Sequence, residues 1–147
     1  MPKSQARIFT ILYVDDNPGD VELAREAIDV SGLDCRLLSV SDGVEALDFL
    51  YRRGKYAKTA PRPDIILLDW NMPKLNGLGV LKLIKHDKHL HAIPVIIFTS
   101  SSQPEDIAAA YGADANCYIV KPMDLDLFLS TVTSIAAHWL NVANWNR

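Results

Sequence analysis

The sequence is poor in the features that would narrow its class at a glance. Two cysteines, Cys35 and Cys117, in 147 residues are too few for the disulfide framework of a small secreted scaffold. Both are read as reduced packing residues. Net charge is only -3, with 22% charged residues and a pI near 5.7. No strong field is available to hold a polyanion, which argues against nucleic acid as a partner. Apolar runs such as Ile65 to Leu68 and Val95 to Phe98 fall far short of the ~20 residues that span a bilayer. Met1 to Thr10 lacks the apolar stretch of a signal peptide. The expectation is a cytoplasmic protein with no membrane partner.

What is present is a chain of single-domain length, 49% hydrophobic, able to bury a core without staples. Short β-branched apolar runs recur at Ile8 to Val14, Cys35 to Val40, Asp64 to Leu68, Pro94 to Phe98 and Cys117 to Val120. Segments of helical period separate them. The first helix starts at a capping Asn17 followed by Pro18, and the second near Asp42. Further helices are expected over Leu78 to His86, Pro104 to Tyr111 with Gly112 at its end, and Asp124 to Asn144. The strands are apolar on both faces, as in a parallel sheet covered by helices on each side and joined by right-handed crossovers. The fold class is therefore α/β, a doubly wound five-stranded sheet. The expected division is a tail at 1–7, a core unit at 8–132 and an extension of the last helix at 133–147.

In such sheets ligands bind beyond the carboxyl ends of the strands. Those ends carry Asp15 and Asp16, then Asp69, then Thr99 and Ser100, then Lys121. Carboxylates ~4 Å apart repel by roughly 4 kcal/mol per pair at an effective dielectric near 20, so the cluster wants a cation. Hard oxygen donors favour magnesium. Asp16 and Asp69 are expected as direct ligands, Asp15 through water, with a backbone carbonyl just past Asp69. A carboxylate beside magnesium, with a lysine and a hydroxyl opposite, suits phosphoryl transfer. Asp69 is the natural nucleophile, Lys121 and Thr99 are placed to meet the phosphoryl oxygens, and the Ser100 amide can add a donor.

Asp15 and Asp16, Asp69 followed by Met72, Pro73 and Gly77, then Thr99, Tyr118, Lys121 and Pro122 resemble the response-regulator receiver pattern from about Ile8 to Val132. The resemblance implies a flavodoxin-like strand order of 2-1-3-4-5, an order for which a chemotaxis receiver is a standing example. It also implies Asp69 as phosphoacceptor from a histidine kinase, Asn71 as the carbonyl ligand, Thr99 as the switch hydroxyl and Tyr118 as the switch aromatic. Asn71 and Ser101 fall where family members tune hydrolysis. The implied protein is a signalling phosphoacceptor that assists its own phosphorylation and slow dephosphorylation, not an enzyme. Asn71 within Asp69 to Pro73, the long loop from Gly54 to Pro63, Asn116 to Tyr118, and His138, Trp139 and Leu140 resemble phytochrome-associated response regulators. That likeness implies a phytochrome-type kinase and a homodimer.

Each of these residues alone has a plain explanation: Asp15 or Asp69 as a cap or turn residue, Thr99 and Lys121 as strand ends, Tyr118 as a packing aromatic. Their joint order is what points to a site. The cluster His86, His89 and His91 lacks a completing cage and reads as a solvated loop; the basic stretch from Arg52 to Arg62 reads as a surface loop. A haloacid-dehalogenase-like phosphatase would place a second acid two residues past its nucleophile, and Asn71 stands there. A pseudo-receiver that only binds partners is the remaining alternative. The last helix keeps its apolar spacing past Val132, so Trp139, Leu140, Val142 and Trp145 are expected to protrude and form a self-association face. With no effector domain read after Arg147, output is expected through protein contact, dimerisation or phosphate relay.

Overall fold

The computed structural model describes residues 8–145. The expected tail at 1–7 and the end of the helical extension at 146–147 lie outside the described residues. The strands are β1 (Phe9–Val14), β2 (Cys35–Val40), β3 (Ile65–Leu68), β4 (Val95–Thr99) and β5 (Cys117–Val120). Between and after them come α1 (Pro18–Ser31), α2 (Gly43–Leu50), α3 (Gly77–His86), α4 (Pro104–Gly112) and α5 (Leu125–Trp145). The five strands form one sheet in the order β2-β1-β3-β4-β5, every neighbouring pair parallel. The flavodoxin-like order implied by the sequence resemblance is the observed one. Cys35 and Cys117 lie on the two opposite edge strands, both free.

Alternation along each strand splits the core in two. Ile11 and Tyr13 face α1 and α5, where they meet Ala24, Ala27, Ile28, Phe128 and Val132. Leu12 and Val14 face the other way, toward Phe49, Val80, Leu81 and Ala110 of α2, α3 and α4. Ile65, Ile66, Leu67 and Leu68 are all buried, each contributing roughly 1.5–3 kcal/mol by leaving water. Both faces being covered explains why these strands read as unbroken apolar runs.

The helix starts follow local chemistry. Asn17 accepts from the Asp20 amide, Asp42 from Glu45 and Asn76 from Gly79. Each satisfies an amide that the first turn leaves without a helical partner. Glu45 also reaches back to the Ser41 amide at 2.8 Å, reinforcing the α2 start. The end of α4 differs from expectation. Gly112 belongs to the helix, and the left-handed residue is Asp114, with φ 70°, a type that tolerates this region through its short polar side chain. Gly54 to Pro63 holds a short 3₁₀ turn at Gly54–Tyr56.

The last helix also corrects an expectation. Burial does not stop near Val132, since Ile135 and Ala136 are buried and Trp139, Leu140 and Ala143 pack against the α1-side core. The reason is that α5 packs along α1, and its later turns join the same apolar cluster as Leu33 and Cys35 at the start of β2. Trp139 is thus half-buried within its own chain, while Trp145 is 86% exposed. No helix among the described residues is long and apolar enough to cross a membrane.

Candidate functional site

All the expected rim residues sit at the carboxyl ends of β1, β3, β4 and β5, beside the point where strand order reverses. Asp15, Asp16 and Asp69 each offer a carboxylate oxygen, and these atoms lie within 4.8 Å of one another. Asp15 and Asp69 are buried, at 1% and 7% exposure, while Asp16 is open to solvent. The three form the one group of potential metal ligands found among the described residues. An all-carboxylate set with one solvated member fits a hard divalent cation that keeps part of its water shell.

Asp15 is held in place from three directions. Its Oδ1 accepts from the Asn17 amide at 2.9 Å, and its Oδ2 accepts from the Tyr13 hydroxyl at 2.7 Å and from Lys121 Nζ at 2.6 Å. The Tyr13 phenol is deep in the core. Burial first, then the charge and hydrogen bond of Asp15, hold its pKa far above the ordinary range, so it stays a donor. Donors on both of its oxygens hold this buried carboxylate in place. The sequence reading missed Tyr13, though an inward tyrosine in a fully buried strand needs a partner for its hydroxyl.

Asp69 stands at the centre of the rim. Its Oδ1 accepts from the Trp70 amide at 2.8 Å, and its Oδ2 lies 3.7 Å from Lys121 Nζ. Burial pushes its pKa up; Lys121 and the Thr99 hydroxyl act in the opposite sense and do not overcome it. The loop after Asp69 closes tightly on the rim because residue 77 is glycine. Its amide donates to the Trp70 carbonyl at 2.9 Å, and a Cβ there would collide with the Asp69 carbonyl oxygen and Trp70 Cα. Asn71 is exposed at the head of that loop.

Lys121 completes the site from β5. Burial works against its ammonium, but hydrogen bonds to Asp15 and Asp20 outweigh it and hold its pKa above the ordinary value. The contact to Asp20, at 2.8 Å, joins residues 101 apart in sequence and was not expected from the sequence. Its signal was an acid in the first turn of α1, four residues after Asp16. Ser100 and Lys121 line one wall of a cleft of about 560 Å³ with Asn17 and Asp20.

Thr99 is buried, and its Oγ1 accepts from the Ser101 amide at 3.4 Å. Tyr118 has its hydroxyl on the Ser101 carbonyl at 2.8 Å and its ring 6.5 Å from Trp70, edge to face. Hydroxyl and aromatic therefore meet the same residue of the β4–α4 loop. The histidines expected to be a solvated loop stay apart from the site; the His86 ring bonds the Lys82 carbonyl. In the basic loop, Arg53 pairs with Asp48 and Lys55 with Glu45.

A parallel sheet with this order and an acid cluster, hydroxyl and lysine converging on its switch-point rim define a phosphoryl-handling signalling module. Residues 11–133 match the response regulator receiver domain family. The chain belongs to the response regulator receiver family. It is 38% identical over 130 residues to the response regulator Rcp1 of Synechocystis sp., 88% of either chain being covered. Among solved structures it is similar to the phosphorylated cyanobacterial phytochrome response regulator RcpA, with TM-score 0.87 and 38% identity, covering 92% of this chain and 96% of that one. It also matches the Mn(2+)-bound form of Rcp1, with TM-score 0.83 and 38% identity over 89% of this chain and 94% of that one. These relatives bear out the likeness to phytochrome-associated regulators read from the sequence.

Proposed function

We propose that the chain takes a phosphoryl group on Asp69 from the phosphohistidine of a histidine kinase, with magnesium, and signals by altering the surface around α4, β5 and α5. The observation that carries this reading is Asp69 set between two further carboxylates and a buried lysine on one rim. In the transfer, the N–P bond of the donor breaks and a P–O bond forms to a carboxylate oxygen of Asp69. The imidazole leaves with the bonding pair and is protonated by solvent. Lys121 and the Ser100 amide meet the equatorial oxygens, and Thr99 donates its hydroxyl. Asp16, Asp69 and the Asn71 carbonyl, with Asp15 acting through water, would hold magnesium, which when bound would supply neutralising charge. Movement of Thr99 toward the phosphoryl group disturbs the Ser101 amide bonded to it and, through the Ser101 carbonyl, Tyr118. That gives two packed states for phosphorylation to bias.

The similarity to phytochrome response regulators supports a phytochrome-type kinase as donor. Residues 8–132 are taken as the receiver unit and 133–147 as an extension of its last helix. We assign the exposed edge of β5 and the adjoining α5 face, including Trp139, Leu140, Val142 and Trp145, to a homodimer. A cleft of about 580 Å³ lined by Cys117, Ile119, Ile135 and Trp139 supports that assignment. Intact mass after incubation with acetyl phosphate or a competent histidine kinase tests the chemistry. One phosphoryl group should be gained with magnesium, and none with Asp69→Asn. Failure of the parent chain with both donors would leave a pseudo-receiver, a module that binds partners without phosphorylation.

A further inference from the structure

Lys121 has three N–H donors, and Asp69 receives none of them. Its Nζ lies 2.6 Å from Asp15 Oδ2 and 2.8 Å from Asp20 Oδ2, but 3.7 Å from Asp69 Oδ2, beyond hydrogen-bond reach. Asp15 and Asp20 engage two of the three donors, so an ammonium that moves toward a phosphoryl oxygen on Asp69 has to stretch one of these contacts. Asp15 is the costly one to lose, because it is buried and also held by Tyr13 and Asn17. Asp20 is different. Its side chain is 23% exposed, it lines the cleft with Ser100, and it sits in the first turn of α1. A carboxylate there is favoured by the unpaired amides and positive end of the helix even without the lysine.

The geometry points to Asp20 as a positioning residue that parks Lys121 away from Asp69 until a phosphoryl group arrives. This rests on the phosphoacceptor reading above and adds an element to it. While parked, the ammonium leaves Asp69 free for a cation and for attack. Once phosphoryl oxygens appear, Lys121 pivots on its Asp15 bond, and the Asp20 carboxylate is released to water and to the helix end. Breaking that partly buried pair opposes the phosphorylated state, so removing the Asp20 charge favours it by about fivefold, the upper end of the range for exposed pairs.

The test uses the full chain at saturating magnesium, with beryllofluoride as a non-covalent phosphoryl mimic and fluorescence of the buried Trp70 beside Asp69 as the signal. Asp20→Asn should bind the mimic about fivefold more tightly than the parent. In a Lys121→Ala background the same substitution should change nothing, because the parked group is gone. A tighter Kd that persists without Lys121 would mean simple loss of a repulsive charge and would overturn the inference, as would an unchanged or weaker Kd in the Lys121 chain. Asp20→Ser gives a second variant if Asp20→Asn disturbs the α1 start. Independently of any phosphoryl chemistry, the Lys121 ammonium resonance in the metal-free chain should move and exchange faster in Asp20→Asn. An unmoved resonance refutes the parking contact even if the parent takes no phosphoryl group, whereas a moved resonance with an inert parent would leave the contact standing and sink the phosphoacceptor reading.

Discussion

The two edges of the sheet are treated in opposite ways. At the β2 edge, Arg25 of α1 reaches over to donate to the Leu37 carbonyl and the Ser39 hydroxyl, both at 3.1 Å. Arg36 projects from the strand itself and bonds Thr10. The loop after α2 folds back beside it, with Tyr56 packed on Phe49 at 5.1 Å and Ala60 buried. At the β5 edge the residues are half-buried or exposed. The strand meets a side chain where Tyr118 N donates to the Tyr111 hydroxyl at 3.1 Å, and an apolar cleft opens between it and α5. An unpaired strand edge invites another chain, and proteins block the edges they do not use. The contrast teaches that this fold places charge and a loop on one edge and leaves the other without such a cover.

The largest expected effect lies on the covered side. Phe49→Ala should cost roughly 3–5 kcal/mol in urea unfolding, because it empties a buried site and removes the platform for Tyr56. If the cost were near zero, the loop would not be the cover described here. On the open side, Trp139→Ala should weaken self-association by about thirtyfold in sedimentation equilibrium, the range for a buried aromatic at an interface centre. Its unfolding must be followed in parallel, since Trp139 also packs within its own chain. A parent that stays monomeric at high concentration would remove the assigned dimer.

A smaller effect concerns the bond that pins the loop to α2. Tyr56→Phe deletes the hydroxyl that donates to Glu45 at 2.7 Å and should cost about 1 kcal/mol. Glu45 also gives a pH signature. Its burial raises the pKa, but the Ser41 amide, Tyr56, Lys55 and the Ser41 hydroxyl outweigh that and bring it from 4.5 down to about 2. A depressed folded-state pKa means stability present above about pH 4.5 and lost as pH falls toward about 2. Acid titration of unfolding should show this loss, and Tyr56→Phe should shrink it; an unchanged acid limb would sever Tyr56 from Glu45.

Much of this was readable in advance, and the reasons are local. Asn17 and Asp42 announced helix starts because a cap bonds an amide only three residues away. Asp15, Asp69, Thr99 and Lys121 announced a rim because each directly follows or ends an apolar run, and parallel strands put all such ends on one side. The misreading of the last helix came where partners are far apart in sequence, and that at the end of α4 from a local exception. Trp139 was expected to protrude because helical period reveals an apolar face but not how far a neighbouring helix extends to cover it. The glycine rule failed at α4 because an aspartate two residues on supplied the left-handed turn.

The sequence by itself determined the alternating elements, the buried character of the strands and the acids, hydroxyl and lysine that reach the rim. Periodicity, capping and strand ends are short-range properties, and the chain carries them wherever it goes. Only the tertiary structure decided that Lys121 rests on Asp15 and Asp20 instead of Asp69, that Tyr13 anchors Asp15 from beneath, and that the β2 edge is closed while the β5 edge stands open. Those choices depend on distances between elements up to 106 residues apart, which are fixed by how the two cores pack and not by any pattern along the chain.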